Sequence, residues 1–343
     1  MNVHRNARRA RTTAIAAALL VAATAACTVQ TTGSGSGNAG GSTGQAAAKD
    51  KTFTIGLANQ QESVTFPAAV AKGAKAKAAQ LGVKIVDLDS QGDTAKQASQ
   101  VQDLIAQRVD AILLVPLSPG PAQALVDQSD AAGIPVATVH GYVGANRDVN
   151  DPYQKLRFVL DENEKAAGGT AGQMALKALP GGGKVAVITG AAGFVENNTR
   201  VVDFKAALAG AGAGKYQIVA TQPGNWTKQD GQSACQNILA SNPGIGLIYA
   251  ISDDMAVGCA SAVKSAGSHA KIIGIGGSQS GIAGIKSGQL YGTVCYKPYD
   301  EGAMAVQMMH DALTGKLTGP PKTTFYDTPG ITAANVADCT PQW

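Results

Sequence analysis

The amino-acid sequence predicts an α/β protein of two similar lobes, each a Rossmann-like parallel sheet covered by helices, joined by a hinge. From Thr52 onward, short β-branched apolar runs alternate with alanine-rich amphipathic segments. This alternation is typical of parallel strands joined by right-handed helical crossovers. The series stops between about 141 and 161, where the sequence is polar and irregular, and then starts again. The remaining roughly 290 residues are enough for two domains of ordinary size.

The predicted strands are bounded by Gly, Pro or Asp, and they are apolar enough to be buried on both faces of a sheet. In chain order they are TFTIGLA, VKIVDLD, DAILLVP, IPVATVH, KVAVITG, YQIVATQ, GLIYAIS, KIIGIG and YGTVCY. The first helix carries an apolar stripe from Phe66 to Leu81 and ends at Gly82, and Asp93 caps the second helix. A helix over 163–179 opens the second series. Since such sheets bind ligands at the carboxyl ends of their strands, two facing lobes form one cleft.

Residues 1–26 have the features of a secretory signal peptide. Four arginines precede an uncharged run from Thr12 to Ala26, which is shorter than the roughly 20 apolar residues of a membrane span. Cys27 follows two small residues, so we predict a lipoprotein whose Cys27 anchors it to the outer face of the cell membrane. The sequence Ala23-Thr24-Ala25 would also serve an ordinary signal peptidase. Residues 27–50 have almost nothing apolar to bury and are predicted to form a flexible linker.

The basic balance of the chain comes from this leader. Removing residues 1–26 takes away four of the 28 basic residues and none of the 24 acidic ones, which leaves 24 of each. A neutral mature chain lacks the electrostatic attraction that supplies most of the affinity for nucleic acid. We therefore predict no nucleic-acid partner.

Signatures of enzymes are missing from the sequence. Gly274-Ile275-Gly276 follows a strand, but the third glycine of the dinucleotide-binding pattern is missing three residues on, and Gly281 comes too late, so the pattern fails. The match to the nucleophile-elbow pattern at 40–44 lies in the linker, with no strand before it. The four histidines are scattered along the chain. We predict a binding protein with no cofactor, no metal and no catalytic residue.

Four cysteines follow Cys27 in a chain that is predicted to leave the reducing cytosol, which favours two disulfides over buried free thiols. The sequence leaves three pairings open. We favour Cys235 with Cys259, on successive helices, and Cys295 with Cys339, which would attach the C-terminal tail to a late strand.

The ordered phrases of the chain resemble the periplasmic ribose-binding protein family, the type I sugar-binding proteins of ABC importers. They include FPAAVAKGAKAKAAQLGVKI, DSQGDTAKQASQVQDLIAQRVDAILLVP, NNTRVVDFKAALAG and QDGQSACQNILASNPGIGLIYAISDDMAVG. The resemblance implies a first lobe of residues 51–161 plus 297–327 and a second of 162–296 plus 328–343. The three crossings, near 161, 296 and 327, would form the hinge.

The resemblance also implies a function and its alternatives. The protein would be a monomer that captures a monosaccharide, polyol or modified sugar and delivers it to the permease of an ABC importer. The alternatives are a ligand sensor for a receptor kinase or chemotaxis system, or a site for a nucleoside, an amino acid or an autoinducer.

The resemblance assigns ligand contacts to residues at the ends of strands. Each has a structural alternative: a core position for Phe66, a surface salt bridge for Arg200, and a helix cap for Asp253. Asn225 is preferred over its neighbour Trp226, which could instead cover the surface. The implied ligand-binding residues are Gln60, Phe66, His140, Asn197, Arg200, Asn225, Asp253 and Tyr296.

Two positions depart from the family. His140-Gly141 stands where relatives commonly carry Asp-Arg, and Gly276 stands where an aspartate is frequent. We therefore expect a less charged cleft than usual, and binding that depends on pH near the pKa of His140.

Overall fold

In the computed structural model, which describes residues 51–343, the chain forms two six-stranded sheets flanked by helices. The predicted signal peptide, Cys27 and the whole of the predicted linker lie outside the described residues. No helix within 51–343 has the length and apolar content needed to cross a membrane.

The first half of the chain folds as three strand-helix steps followed by two more strands. Its elements are β1 (Thr54–Asn59), α1 (Thr65–Leu81), β2 (Lys84–Asp89), α2 (Thr94–Ala106), β3 (Ala111–Leu114), α3 (Pro119–Ala131), β4 (Val136–Val139) and β5 (Leu156–Asp161). The predicted helix signals are present: Gly82 ends α1 in the left-handed conformation, at φ 67°, and the Asp93 carboxylate accepts the backbone N–H groups of Ala95 and Lys96.

The second half repeats the pattern. Its elements are α4 (Glu164–Ala178), β6 (Gly183–Thr189), α5 (Glu196–Gly210), β7 (Tyr216–Pro223), α6 (Lys228–Ser241), β8 (Ile245–Ala250), α7 (Asp253–Ser265), β9 (Lys271–Gly276), α8 (Gln279–Lys286) and β10 (Gly292–Cys295).

The last segment returns once to each half. Its elements are α9 (Pro298–Leu313), β11 (Thr323–Phe325), β12 (Gly330–Thr332) and a 3₁₀ helix (Ala333–Asp338). Helix α9 packs on α1, β11 pairs parallel to β5, and β12 pairs antiparallel to β10. The strand orders are therefore β11-β5-β4-β3-β1-β2 and β12-β10-β9-β8-β6-β7. The predicted two-lobed α/β fold is confirmed.

Two details of the strand prediction were wrong. The segment predicted to be irregular contains β5, a buried strand parallel to β4. The sequence pattern did not reveal this strand because its apolar residues come directly after a long polar loop. Strands β2 and β7 are not buried on both faces: they lie at the open edges of the two sheets, where nothing covers them on one side.

Two disulfides connect elements of the second lobe. Cys235 in α6 bonds to Cys259 in α7, with a Cα–Cα distance of 5.1 Å. Cys295 at the end of β10 bonds to Cys339, with a Cα–Cα distance of 6.0 Å. This is the pairing favoured from the sequence, and the second bond attaches the C-terminal tail to β10.

Candidate functional site

One cleft lies between the carboxyl ends of the two sheets. Its walls come from the loops after β1 and β4 in the first lobe, the loops after β6, β7, β8 and β9 in the second, the crossing after β10, and the tail. The lining residues are Gln60, Gln61, Val64, Thr65, Phe66, Pro67, His140, Phe194, Glu196, Arg200, Trp226, Ser252, Asp253, Asp254, Ile275, Gly276, Tyr296 and Trp343. At the lip, the Thr65 hydroxyl of one lobe donates to the Asp254 carboxylate of the other over 3.0 Å.

Aromatic rings form much of the cleft wall. Phe66 lies at the centre of this group: its ring centroid is 4.4 Å from that of His140, 6.1 Å from Tyr296 and 5.8 Å from Trp343. Trp226 adds a ring from the second lobe. Rings of this kind pack against the C–H faces of a small ligand and leave its polar edges to hydrogen-bonding groups.

Asp253 supplies a buried carboxylate at the start of α7. Oδ2 accepts from the Ser278 backbone N–H at 2.8 Å and from the Ser278 hydroxyl at 3.0 Å, and Oδ1 accepts from the Thr293 hydroxyl at 2.6 Å. Burial raises the pKa of Asp253 to about 6, against the lowering effect of these hydrogen bonds. The helix cap is Ser252, which accepts from the Met255 N–H. The Asp253 side chain therefore serves the cleft rather than the helix end.

Arg200 is committed to a buried ion pair. Its Nε and Nη2 donate to the two carboxylate oxygens of Glu164, and its Nη1 donates to the Ile251 carbonyl at 2.8 Å. The Tyr296 hydroxyl donates to Glu164 Oε2 at 2.7 Å. Burial opposes ionisation of Glu164, but the charge and hydrogen bonds of Arg200 lower its pKa to about 2. Arg200 therefore ties α5 to the start of α4 beside the crossing as well as lining the cleft, and it is not a surface salt bridge.

His140 is aimed at the crossing by an unusual backbone conformation. Its φ of 55° is uncommon for a residue with a side chain, and such conformations are concentrated at functional sites. Nδ1 bonds the Glu162 carboxylate, and Nε2 lies 3.3 Å from Glu196 Oε1 of the second lobe. Burial acts to lower the pKa of His140, but Glu162 and Glu196 together raise it well above 6.5. The neighbouring carboxylates thus favour the charged imidazolium of His140, which contacts acids on both sides of the cleft.

Further acids are buried behind His140. Burial, reinforced by neighbouring carboxylates, raises the pKa of Asp161 and of Glu301 well above the usual range. Both Glu301 oxygens are buried without a hydrogen-bond partner. Uncompensated charge is expensive to bury, so burial favours the protonated form of both carboxyl groups.

One group of three described residues has the spacing of metal ligands: His140, Glu162 and Glu164. Their ligand atoms are already used, since Glu164 is bound by Arg200 and Tyr296 and Glu162 by His140. The arrangement is explained by ion pairing without a metal.

Most of the residues assigned from the sequence meet at the cleft, but two do not. Asn197 is used to close its own loop, accepting from the Gly190 N–H at 2.8 Å and donating to the Ala191 carbonyl at 2.5 Å. Asn225 is exposed and donates to Asp230 over 3.2 Å. The residues in the cleft are Gln60, Phe66, His140, Arg200, Asp253 and Tyr296.

The sequence reasoning also missed cleft residues. Trp226 lines the cleft while its neighbour Asn225 faces away, which reverses the preference stated above. Glu196 had no motif to single it out. Trp343 was missed although a signal existed, because the favoured Cys295–Cys339 bond already placed the tail beside a strand end.

Comparison with known proteins agrees with this geometry. The model of the periplasmic binding protein domain family matches residues 55–317. The chain belongs to this family. It is 30% identical over 266 residues to the ribose import binding protein of Bacillus subtilis, which covers 78% of this chain and 83% of that protein.

Two further relatives come from mycobacteria. The xylitol-binding protein of Mycolicibacterium smegmatis is 29% identical over 255 residues, 73% of this chain and 69% of that protein. A solved ABC transporter solute-binding protein of Mycobacterium smegmatis, with bound glycerol, is 26% identical with a TM-score of 0.75, covering 84% of this chain and 96% of that one.

Proposed function

We propose that this protein is an extracytoplasmic solute-binding protein that captures one small polyhydroxylated ligand in the cleft and delivers it to the permease of an ABC importer. The observation that carries the proposal is the composition of the cleft. Aromatic rings stand beside a buried carboxylate, a guanidinium and the Gln60 amide at the carboxyl ends of two facing sheets. Relatives that bind ribose and xylitol and a relative with bound glycerol support the ligand class.

Reversible binding needs only what the cleft already offers. A hydrogen bond to a charged group contributes roughly 1.5–3 kcal/mol, and micromolar affinity needs about 8 kcal/mol. Asp253 has lone pairs beyond those that Ser278 and Thr293 use, and Arg200 keeps N–H groups beyond those that bind Glu164 and Ile251. With ring contacts added, the total reaches that range without covalent chemistry. The proposed function therefore needs reversible binding and no covalent step.

Capture requires the lobes to open and close, and the proposed hinge consists of the three crossings near 161, 296 and 327. The sheet orders support these positions, because the strands change sheet after β5, after β10 and between β11 and β12. The Arg200–Glu164–Tyr296 cluster lies at the first two crossings. Ligand that contacts both lobes would favour the closed arrangement by its differential affinity.

The experiment is a binding screen of the mature protein by thermal shift, followed by calorimetry, with monosaccharides, polyols, nucleosides and amino acids. We expect saturable binding of one polyhydroxylated ligand per chain. Binding of an amino acid with no response to any polyhydroxylated compound would reject the proposed ligand class.

The proposal includes membrane anchoring through Cys27, which the sequence alone supports. Metabolic labelling of the full chain with a palmitate analogue should label the wild type and not Cys27→Ser. An unlabelled wild type cleaved before Cys27 would instead indicate ordinary secretion.

A further inference from the structure

The tail of the chain leaves the second sheet and returns to the cleft. After β12 pairs with β10, the 3₁₀ helix leads to Cys339, which is bonded to Cys295 at the carboxyl end of β10. Cys295 lies beside Tyr296, which lines the cleft. The disulfide therefore fixes the start of the segment 339–343, here called the strap, at the edge of the ligand site.

The strap contacts both lobes. In the second lobe, the Trp343 carbonyl accepts from the Gln279 N–H at the start of α8 over 2.8 Å. In the first lobe, the Gln342 side chain accepts from the Asp300 N–H at 3.1 Å and donates to the Asp300 carboxylate at 2.6 Å. Three separate attachments, one covalent, hold five residues in place. This degree of constraint exceeds what a loose chain end would show.

The Trp343 ring is directed into the cleft. It meets Phe66 of the first lobe edge to face, with centroids 5.8 Å apart and planes at 81°. It also covers Gly276 at the end of β9, where a Cβ would lie 3.0 Å from the ring atom Cζ2 and 3.1 Å from Asp253 Oδ2. Gly276 has a φ of 148°, in the region that favours glycine. The missing side chain at 276 thus makes room for the tryptophan.

We propose that Trp343 is a specificity-determining residue of the ligand site, held there by the Cys295–Cys339 bond, and that it selects ligands with an apolar C–H face on the side of β9. This inference rests on the proposed function. An indole at that wall offers a surface for C–H groups and no hydrogen-bond acceptor. Ligands that present hydroxyls all round lose a partner there, and ligands with a methyl or methylene face gain one.

The direct test measures affinity by calorimetry for D-ribose, xylitol, myo-inositol and L-fucose, a deoxy sugar, in wild type and three variants. Among the probes that the wild type binds, Trp343→Ala should weaken affinity about tenfold, equivalent to about 1.4 kcal/mol, for those with a methyl or methylene face. The loss should be smaller for probes that present hydroxyls all round, such as myo-inositol. Trp343→Phe should recover part of the loss because it restores a ring. Phe325→Ala is the control, an aromatic residue in β11 that is 36% exposed and outside the cleft, and it should bind as the wild type does.

A second measurement needs no ligand. The sequence contains two tryptophans, so in Trp226→Phe the fluorescence reports Trp343 alone. Reducing the disulfides, or replacing Cys295 and Cys339 together with serine, should shift this emission to the red and increase quenching by acrylamide. Emission that already resembles free tryptophan in the oxidised protein would overturn the inference.

The outcomes of the affinity test separate the two proposals. If the wild type binds none of the polyhydroxylated probes, the proposed function fails and the inference with it. If the wild type binds and Trp343→Ala keeps the same affinity for every bound probe, or loses it equally for all of them, the inference alone fails. A loss of affinity in Trp343→Ala that Phe325→Ala shares would also overturn it, because the effect would not be local.

Discussion

Replacing Asp253 with asparagine should stabilise the folded protein at neutral pH and impair its function. Burial raises the pKa of this carboxyl from 3.8 to about 6. A shift of about 2 units corresponds to roughly 3 kcal/mol of preference for the protonated form in the folded state. The folded protein therefore binds this proton more tightly than the unfolded chain does. The stability that the proton provides is fully present below pH 3.8 and is lost as pH rises through about 6.

The asparagine variant removes this titration while keeping the shape of the side chain. Its carbonyl oxygen can accept from Ser278, and its amide can donate to the Thr293 hydroxyl, which is free to reverse its role. Relative to wild type, Asp253→Asn should become more stable as pH rises from 4 to 7, by up to about 3 kcal/mol. Other buried acids titrate in the same direction, but they cancel in the difference between the two proteins.

Urea unfolding at pH 4, 5, 6 and 7.5 measures the difference directly. Calorimetry at pH 7.5 should show that the more stable variant binds its ligand at least about tenfold more weakly, since it has lost a charged acceptor. A stability difference that does not change between pH 4 and 7.5 would refute the reasoning, as would a variant that binds unchanged. In either case the Asp253 carboxylate would not be a buried charge on which ligand binding depends.

Other predictions concern the crossing and the cysteines. Arg200→Ala leaves the Glu164 carboxylate buried without its guanidinium partner and should lower the free energy of unfolding by about 3–5 kcal/mol, measured in urea; a loss below 1 kcal/mol would contradict the buried ion pair. His140→Gln removes an imidazole whose pKa is raised by Glu162, so the variant should lack the part of the stability that the wild type loses as pH rises above 6.5. Identical dependence of the unfolding free energy on pH in the two proteins would contradict the ion pair of His140. In the denatured, unreduced mature chain, none of the four cysteines after residue 27 should react as a free thiol. Thiol titration that finds free thiols among them would contradict the two disulfides.

The fold was predictable because its signals are local. Each buried strand carries a continuous apolar run and each helix its own stripe and caps, such as Asp93 and Gly82, so neighbouring residues were sufficient. The edge positions of β2 and β7 were not predictable in this way. Exposure at the edge depends on what is absent from one side of the sheet, and the strand's own sequence does not encode it.

The site was predictable in its rings and charges and not in their partners. Phe66, Asp253 and Arg200 follow strand ends, and strand ends converge in this fold. That Arg200 pairs with Glu164 depends on contacts between residues 36 apart in the chain, and the Glu196 contact of His140 crosses between lobes. The position of Asn225 outside the cleft was not predictable for a finer reason. Asn225 and Trp226 are adjacent, and a backbone turn with φ of 50° and 64° decides which side chain enters the cleft.

The central claim is that the cleft binds one small polyhydroxylated ligand. Calorimetric titration of the purified mature protein with D-ribose, xylitol and myo-inositol, and with amino acids as the comparison class, tests it most directly. The account predicts a single saturable site per chain for a polyhydroxylated compound, lost in Asp253→Ala and retained in Phe325→Ala. Saturable binding of an amino acid with no heat from any sugar or polyol would contradict it.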